Sequence, residues 1–298
     1  MLKRKTKGEI VFDTCNNIFM FFIIIAMTYP FLNQIAISLS DNTSVLAGKV
    51  SIWPRGFNLD AYRKLVLDSR FFMVMKNTIW YTILNSVFSM LIMTVFAYPL
   101  SKKHLKGRQV IMTLMVFSMM FGTGGLIPNY LVIKNLGLVD NYWGLILPSA
   151  FNIWNIIILK NFFQQIPGEI EESALIDGAS NLKIFALIML PLSLPSLAAI
   201  TLFTAVAAWN TFMNALIYIN DPNKKLLQVY LNDVLQANTV PTESANSSMI
   251  MADAAKSTVN SDTLKAATLM CATLPILLVY PFVQKYFMAG LMVGSVKG

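Results

Sequence analysis

Along this chain, long apolar runs alternate with short polar connections at a spacing that fits a lipid bilayer. The first run, 10–39, follows Lys3, Arg4, Lys5 and Lys7. Its apolar part exceeds the roughly 7–15 residues of a signal-peptide core and predicts an uncleaved first span. Asp41 to Lys76 is a polar connection predicted to hold one short helix, capped by Asn58, with Leu59, Tyr62 and Leu65 on one face. Further runs at 77–100, 110–133, 142–163, 194–219 and 263–283 are each long enough to cross a membrane, which takes about 20 helical residues. Gly122, Gly124, Gly125 and Pro128 interrupt the third run and predict a kinked or unwound stretch there.

Charge sets the expected orientation. The connection between the second and third runs holds Lys102, Lys103, His104, Lys106 and Arg108, and basic loops stay on the cytoplasmic side. The amino terminus and the tail from Gln284 to Gly298 then also face the cytoplasm. The connection 220–262 faces outward, and its middle, Gln236 to Ser261, is mostly small and polar. The predicted fold class is an all-α membrane protein with six transmembrane helices, forming one domain over 1–298 with both ends cytoplasmic.

One polar stretch, 167–195, falls between the fourth and fifth runs and itself reads as helix. Pro167 suits a first helical turn, and Glu169, Glu171 and Glu172 are the charges a helix N-terminus favours. This helix is expected to end near Gly178. A second amphipathic segment with Leu182, Phe185, Ile188 and Met189 on its apolar side should stop or bend at Pro191. The result is a cytoplasmic knob of two short helices.

Composition narrows the function. A mean hydropathy of +0.59 with 13% charged residues excludes an ordinary soluble domain. The net charge of +8 does not indicate nucleic acid, because the basic residues cluster beside apolar spans. Cys15 and Cys271 form no spacing pattern, and His104 is the only histidine, so no metal site, zinc protease motif or histidine-dependent triad is expected. No phosphate-loop motif occurs, so no nucleotide or other cofactor is expected on this chain, and any ATP-derived energy must come from a partner. The centres of the second to fifth runs carry no Asp, Glu, Lys or Arg, against an ion-coupled carrier. They carry amides and rings instead: Asn152, Trp154 and Asn155 on the fourth, Trp209, Asn210, Asn214 and Tyr218 on the fifth. Rings cover the apolar faces of sugars and amides replace water around hydroxyls, so these residues are candidates for the path of a neutral, polyhydroxylated solute. The same polar groups could instead hydrogen-bond helix to helix.

Glu172-Ser173-Ala174, Gly178 and Ile188-Met189-Leu190-Pro191 together resemble the EAA motif of bacterial ABC importer permeases, with Ser173 in place of the usual alanine. The surrounding EESALIDGA, Glu171 to Ala179, is similar to the version in the carbohydrate-uptake branch, and the likeness extends over essentially the whole chain. The subgroup is the one that imports oligosaccharides and polysaccharide fragments, as the smaller permease of the maltose and alginate importers does. The resemblance implies a heterodimer with a second homologous permease, two ATPase subunits beneath it and an extracytoplasmic sugar-binding protein above. It places Glu172, Ser173, Ala174, Asp177, Gly178, Ile188, Leu190 and Pro191 in the segment that couples to an ATPase subunit. It also implies that the outer loop Gln236 to Ser261 reaches the binding protein and that the tail Val293 to Gly298 reaches the ATPase. A permease for another solute class, such as peptides or phosphate, would keep this helix and change the span residues.

Overall fold

The structure, a computed structural model, describes residues 6–121, 124–236 and 260–295, and among them every regular element is helical. The middle of the 236–261 loop and the last three residues of the tail lie outside the described residues. The chain forms two compact units, one of residues up to Ser69 with Leu231–Leu274, the other of Arg70–Tyr230 with Pro275 onward.

In the first unit, α1 (Lys7–Ser38) is a single long helix opened by a capping box. The Thr6 hydroxyl accepts from the Glu9 amide, and the Glu9 carboxylate accepts from the Thr6 amide. Its apolar side chains are left uncovered by the chain: Ile18, Phe21 and Phe22 are 64%, 65% and 72% exposed. Its end packs, where Ala36 and Ser38 are buried and Ser38 meets the Tyr62 hydroxyl at 2.8 Å. A short helix α2 (Asn42–Leu46) follows, then α3 (Asp60–Leu67). The α3 expectation needs correcting. Leu59 is the cap residue, while Asn58 accepts from the Asp60 amide, and the buried face is Ala61 and Leu65 with Leu59 exposed.

In the second unit, α4 (Ser69–Ser101) begins eight residues before the predicted span, so the end of the polar connection belongs to the same helix. The third run divides into α5 (Arg108–Phe121) and α6 (Leu126–Asn135), and Gly124 and Gly125 have φ of 73° and 92°, a region glycine enters freely. The fourth and fifth runs also divide, contrary to the continuous spans expected. The fourth forms α7 (Trp143–Ala150) and α8 (Ile153–Gln165), bent by 49°. The Asn152 side chain caps α8 by accepting from the Asn155 amide at 3.0 Å, which makes α8 a helix with its own start. The knob follows as α9 (Gly168–Ile176), α10 (Asn181–Ile184), a π-helical segment (Phe185–Met189) and α11 (Leu190–Leu192). The fifth run forms α12 (Leu194–Trp209) and α13 (Met213–Tyr218). The connection after it is partly regular, with a 3₁₀ turn at Pro222–Lys224 and α14 (Leu227–Gln236). The sixth run and most of the tail form one helix, α15 (Ser261–Ser295).

Two buried clusters hold this unit together. One gathers Met93 and Ala97 of α4, Met115 of α5, Ile156 and Leu159 of α8, Ile200 of α12 and, from the knob, Ala174, Ile184 and Met189. The other joins Tyr81 of α4 to Ile146, Ala208, Ala215 and Tyr218. Near the second cluster Asp140, at φ 59°, accepts from the Asn220 and Asp221 amides and fixes the α6–α7 turn to the chain after α13.

Candidate functional site: a polar-walled cavity and a helical knob

Between the two clusters, at the level of Asn85 on α4 and Thr204 on α12, lies a cavity of about 590 Å³. Its wall is uncharged. Tyr81 and Asn85 come from α4, Ser118 and Met119 from α5, Ser149 from α7, Asn152, Trp154 and Asn155 from the α7–α8 break, and Thr204 and Thr211 from the fifth run. The break matters because Asn152, Trp154 and Asn155 all reach one wall, whereas an unbroken helix would keep Asn152 and Asn155 on one face and turn Trp154 about 160° away from Asn152. Asn152 and Trp154 are exposed there, Trp154 at 60%, while the buried Asn85 accepts from the Ser149 hydroxyl at 2.7 Å. Rings and amides without fixed charge can stack on and hydrogen-bond a polyhydroxylated solute.

Of the candidate path residues, the structure brings Asn152, Trp154 and Asn155 together and leaves the other four apart. Trp209 is buried beside an apolar groove with Ile79, Ile83 and Pro275, and Tyr218 is buried in the second cluster. Asn210 hydrogen-bonds the Val206 carbonyl and Gln228, and Asn214 is exposed on α13. Tyr81, Asn85, Ser149, Thr204 and Thr211 were not anticipated. A faint signal existed in the i, i+4 spacing of Tyr81 and Asn85, which puts both on one helical face.

The knob is built by local rules. Pro167 takes the cap position just before α9, and Glu169 and Glu171 occupy its first turn. At the other end the Gly178 amide donates to Leu175 and the Ala179 amide to Ala174, the Schellman pattern, with Gly178 at φ 79°. Ser180 then caps α10 through the Lys183 amide. Pro191 does not end the second segment. The backbone crosses it and breaks at Ser193, where the axis turns by 80° into α12. The widened π turn accommodates a proline that an α-helix interior would reject.

The predicted coupling residues divide by face. Ala174 is buried in the cluster that holds α4, α5, α8 and α12, and Ile188 and Leu190 pack partly against it. Glu172, Ser173, Asp177, Gly178 and Pro191 are exposed. So are Ile176 and Leu182, at 86% and 79%; Ile176 was not anticipated from the sequence, and Leu182, expected on the apolar side of the second segment, is exposed instead. An exposed face that mixes large apolar groups with carboxylates is suited to a protein partner. No group of side chains that could hold a metal occurs among the described residues.

Apolar helices beside an uncharged polar cavity, with a helical knob seated on the same core, define a membrane permease subunit. The chain belongs to the family of binding-protein-dependent transport system inner membrane components, whose profile matches residues 91–292. It is therefore a multi-pass protein of the cytoplasmic membrane and a transport subunit. It is 44% identical over 294 residues to Protein LplC of Bacillus subtilis (strain 168), covering 98% of this chain and 97% of that one. It is 43% identical over 288 residues to the polygalacturonan/rhamnogalacturonan transport system permease protein YtcP of the same organism, covering 97% and 99%. A chain in the crystal structure of a bacterial ABC transporter involved in import of the acidic polysaccharide alginate superposes with a TM-score of 0.87 at 31% identity, covering 96% of this chain and 99% of that one.

Proposed function

We propose that this chain is the permease subunit of a binding-protein-dependent ABC importer and moves an oligosaccharide across the cytoplasmic membrane by alternating access. The carrying observation is that Ala174 of the knob is buried in one cluster with α4, α5, α8 and α12 while Glu172 and Asp177 on the same knob are exposed. A partner pushing on the exposed face therefore moves the spans. In this reading the chain is one permease domain with six spans, the bent pairs α5–α6 and α7–α8 each counting as one and α12 with α13 making the fifth, and both termini are cytoplasmic. The knob 167–195 is the coupling segment. It docks one of two ATPase subunits, which hydrolyse the ATP, and a second homologous permease completes the path.

The saccharide assignment is supported by the polysaccharides named for the relatives and by the cavity wall of amides, hydroxyls and rings. A sugar-binding protein outside the membrane delivers the cargo. Gly178 tests the coupling. A Cβ added there meets nothing within 4 Å, so Gly178→Trp starts its side chain into open space and costs mainly left-handed backbone strain, about 1–2 kcal/mol. The variant should reach the membrane at normal level and abolish stimulation of ATP hydrolysis by the loaded binding protein in the reconstituted importer; normal stimulation would sink the assignment.

A further inference from the structure

The knob touches the spans in two physically different ways. Ala174 packs into the core, and such contact resists compression but has little directional hold against separation. Alternating access must both push the spans and pull them back. Glu171, one residue before the exposed Glu172, supplies a directional attachment. Its Oε1 accepts from the Tyr98 hydroxyl at 2.9 Å and its Oε2 pairs with the Lys102 ammonium. Both charged side chains are largely covered, 16% exposed for Lys102 and 19% for Glu171, where water and salt screen an ion pair less than at an open surface.

The receiving end is the last turn of α4. The Lys102 ammonium lies 4.4 Å from the centre of the Tyr98 ring, and that ring packs on Phe185 of the knob's π segment at 4.9 Å. The α4 carbonyls at this end are themselves held, Leu100 by Arg108 and Ser101 by Gln164. Seventeen residues back along the same helix, about 25 Å at 1.5 Å per residue, Tyr81 lines the cavity.

We propose that Tyr98, Lys102 and Glu171 form a strap that transmits displacement of the coupling helix, pulling as well as pushing, to α4 and through it to the cavity wall. They are positioning residues, since none of them lines the cavity. The inference rests on the coupling role of the knob.

In the importer reconstituted with its partner permease, ATPase subunits and binding protein, Lys102→Met and Glu171→Gln should still co-purify with the ATPase. Stimulation of ATP hydrolysis by the loaded binding protein should fall about tenfold, within the roughly 5- to 150-fold range of coupling between sites. Exchanging the charges, Lys102→Glu with Glu171→Lys, should bring stimulation back to within about threefold of the starting protein, a recovery that a loss of structure would not show. Tyr98→Phe keeps the ring stacked and removes one hydrogen bond, and should lose about threefold, which decides the matter if Lys102→Met fails to assemble. Normal stimulation in the single variants, or an exchanged pair as defective as either single in an assembled complex, overturns the strap. If Gly178→Trp blocks stimulation while Lys102→Met does not, the strap alone fails; if neither blocks it, the coupling reading fails.

Discussion

Ser149 donates its hydroxyl to the side-chain oxygen of Asn85 across 2.7 Å, so one hydrogen bond ties α7 to α4 on the wall of the cavity. Ser149 also reaches the Leu145 and Ile146 carbonyls of its own helix at 3.0 Å each. Removing the amide therefore leaves the hydroxyl with partners, and the stability cost of the lost bond stays near 1 kcal/mol. For a cargo hydroxyl no such substitute exists. Asn85→Leu, close in volume, should melt within a few degrees of the original protein while oligosaccharide uptake falls about fivefold to tenfold. Asn85→Asp keeps the acceptor and adds a charge, so it should impair a uronate-bearing saccharide more than a neutral one. Radiolabelled uptake in vesicles alongside thermal unfolding separates the two effects. Unchanged uptake with a lowered melting temperature would make Asn85 a purely structural residue.

The membrane class and the knob were legible because their signals are dense. Apolar runs of about 20 residues, a basic loop and the spacing from Glu172 to Pro191 each involve many residues whose reading agrees. The breaks in the fourth and fifth runs were not, because no glycine marks either one. The fourth is broken by the Asn152 cap and the fifth at Asn210 to Phe212, where the local sequence is also compatible with helix. The cavity wall was half legible for a related reason. Asn152, Trp154 and Asn155 stand close in sequence, whereas Asn85, Ser149 and Thr204 are isolated polar residues in apolar runs that only the packing of helices brings together. The Lys102–Glu171 pair spans 69 positions, and no local pattern predicts such a contact.

Acid should open the α2 region first. The Asp41 carboxylate accepts from the Thr43 hydroxyl at 2.6 Å, the Ser44 amide at 2.8 Å and the Ser44 hydroxyl at 2.9 Å, and these bonds, the Thr43 hydroxyl foremost, lower its pKa from 3.8 to about 2. Because the folded value lies below the unfolded one, the charged cap stabilises α2 fully above pH 3.8, and that contribution is lost as pH falls toward 2. Amide exchange at Ser44 and Val45, corrected for its intrinsic pH dependence, should rise over that window and lose most of this dependence in Asp41→Asn. Gly56 gives a second handle, since a Cβ there would lie 1.9 Å from Asp41 Oδ2 and its φ is +61°. Gly56→Ala should raise the same exchange rates at neutral pH. Flat exchange from pH 5 to 2 in the unaltered protein would mean that the cap does not hold α2.

Pro191 controls the register of the segment that carries the second half of the motif. The Leu190 amide donates to the Phe185 carbonyl, five residues back, which is the π pattern. Ile184 and Met189, also five apart, are 0% and 2% exposed. In an α-helix residues five apart point about 140° away from each other, so the widened turn is what lets both enter the core. Pro191 favours that widening, because its ring would strike the carbonyl of Leu187 in an α-helix and it has no amide to donate. Pro191→Ala removes both constraints and should let the segment return to α geometry, turning position 189 out of the core. A cysteine at Met189 should resist a water-soluble maleimide in the Pro191 background and react at least about tenfold faster once Pro191→Ala opens the site by roughly 1.4 kcal/mol. Stimulated ATP hydrolysis should fall in the same variant, since Met189 shares its cluster with Ala174 of the coupling helix. If the cysteine stays protected, the surrounding packing alone holds the π turn and the proline serves another purpose.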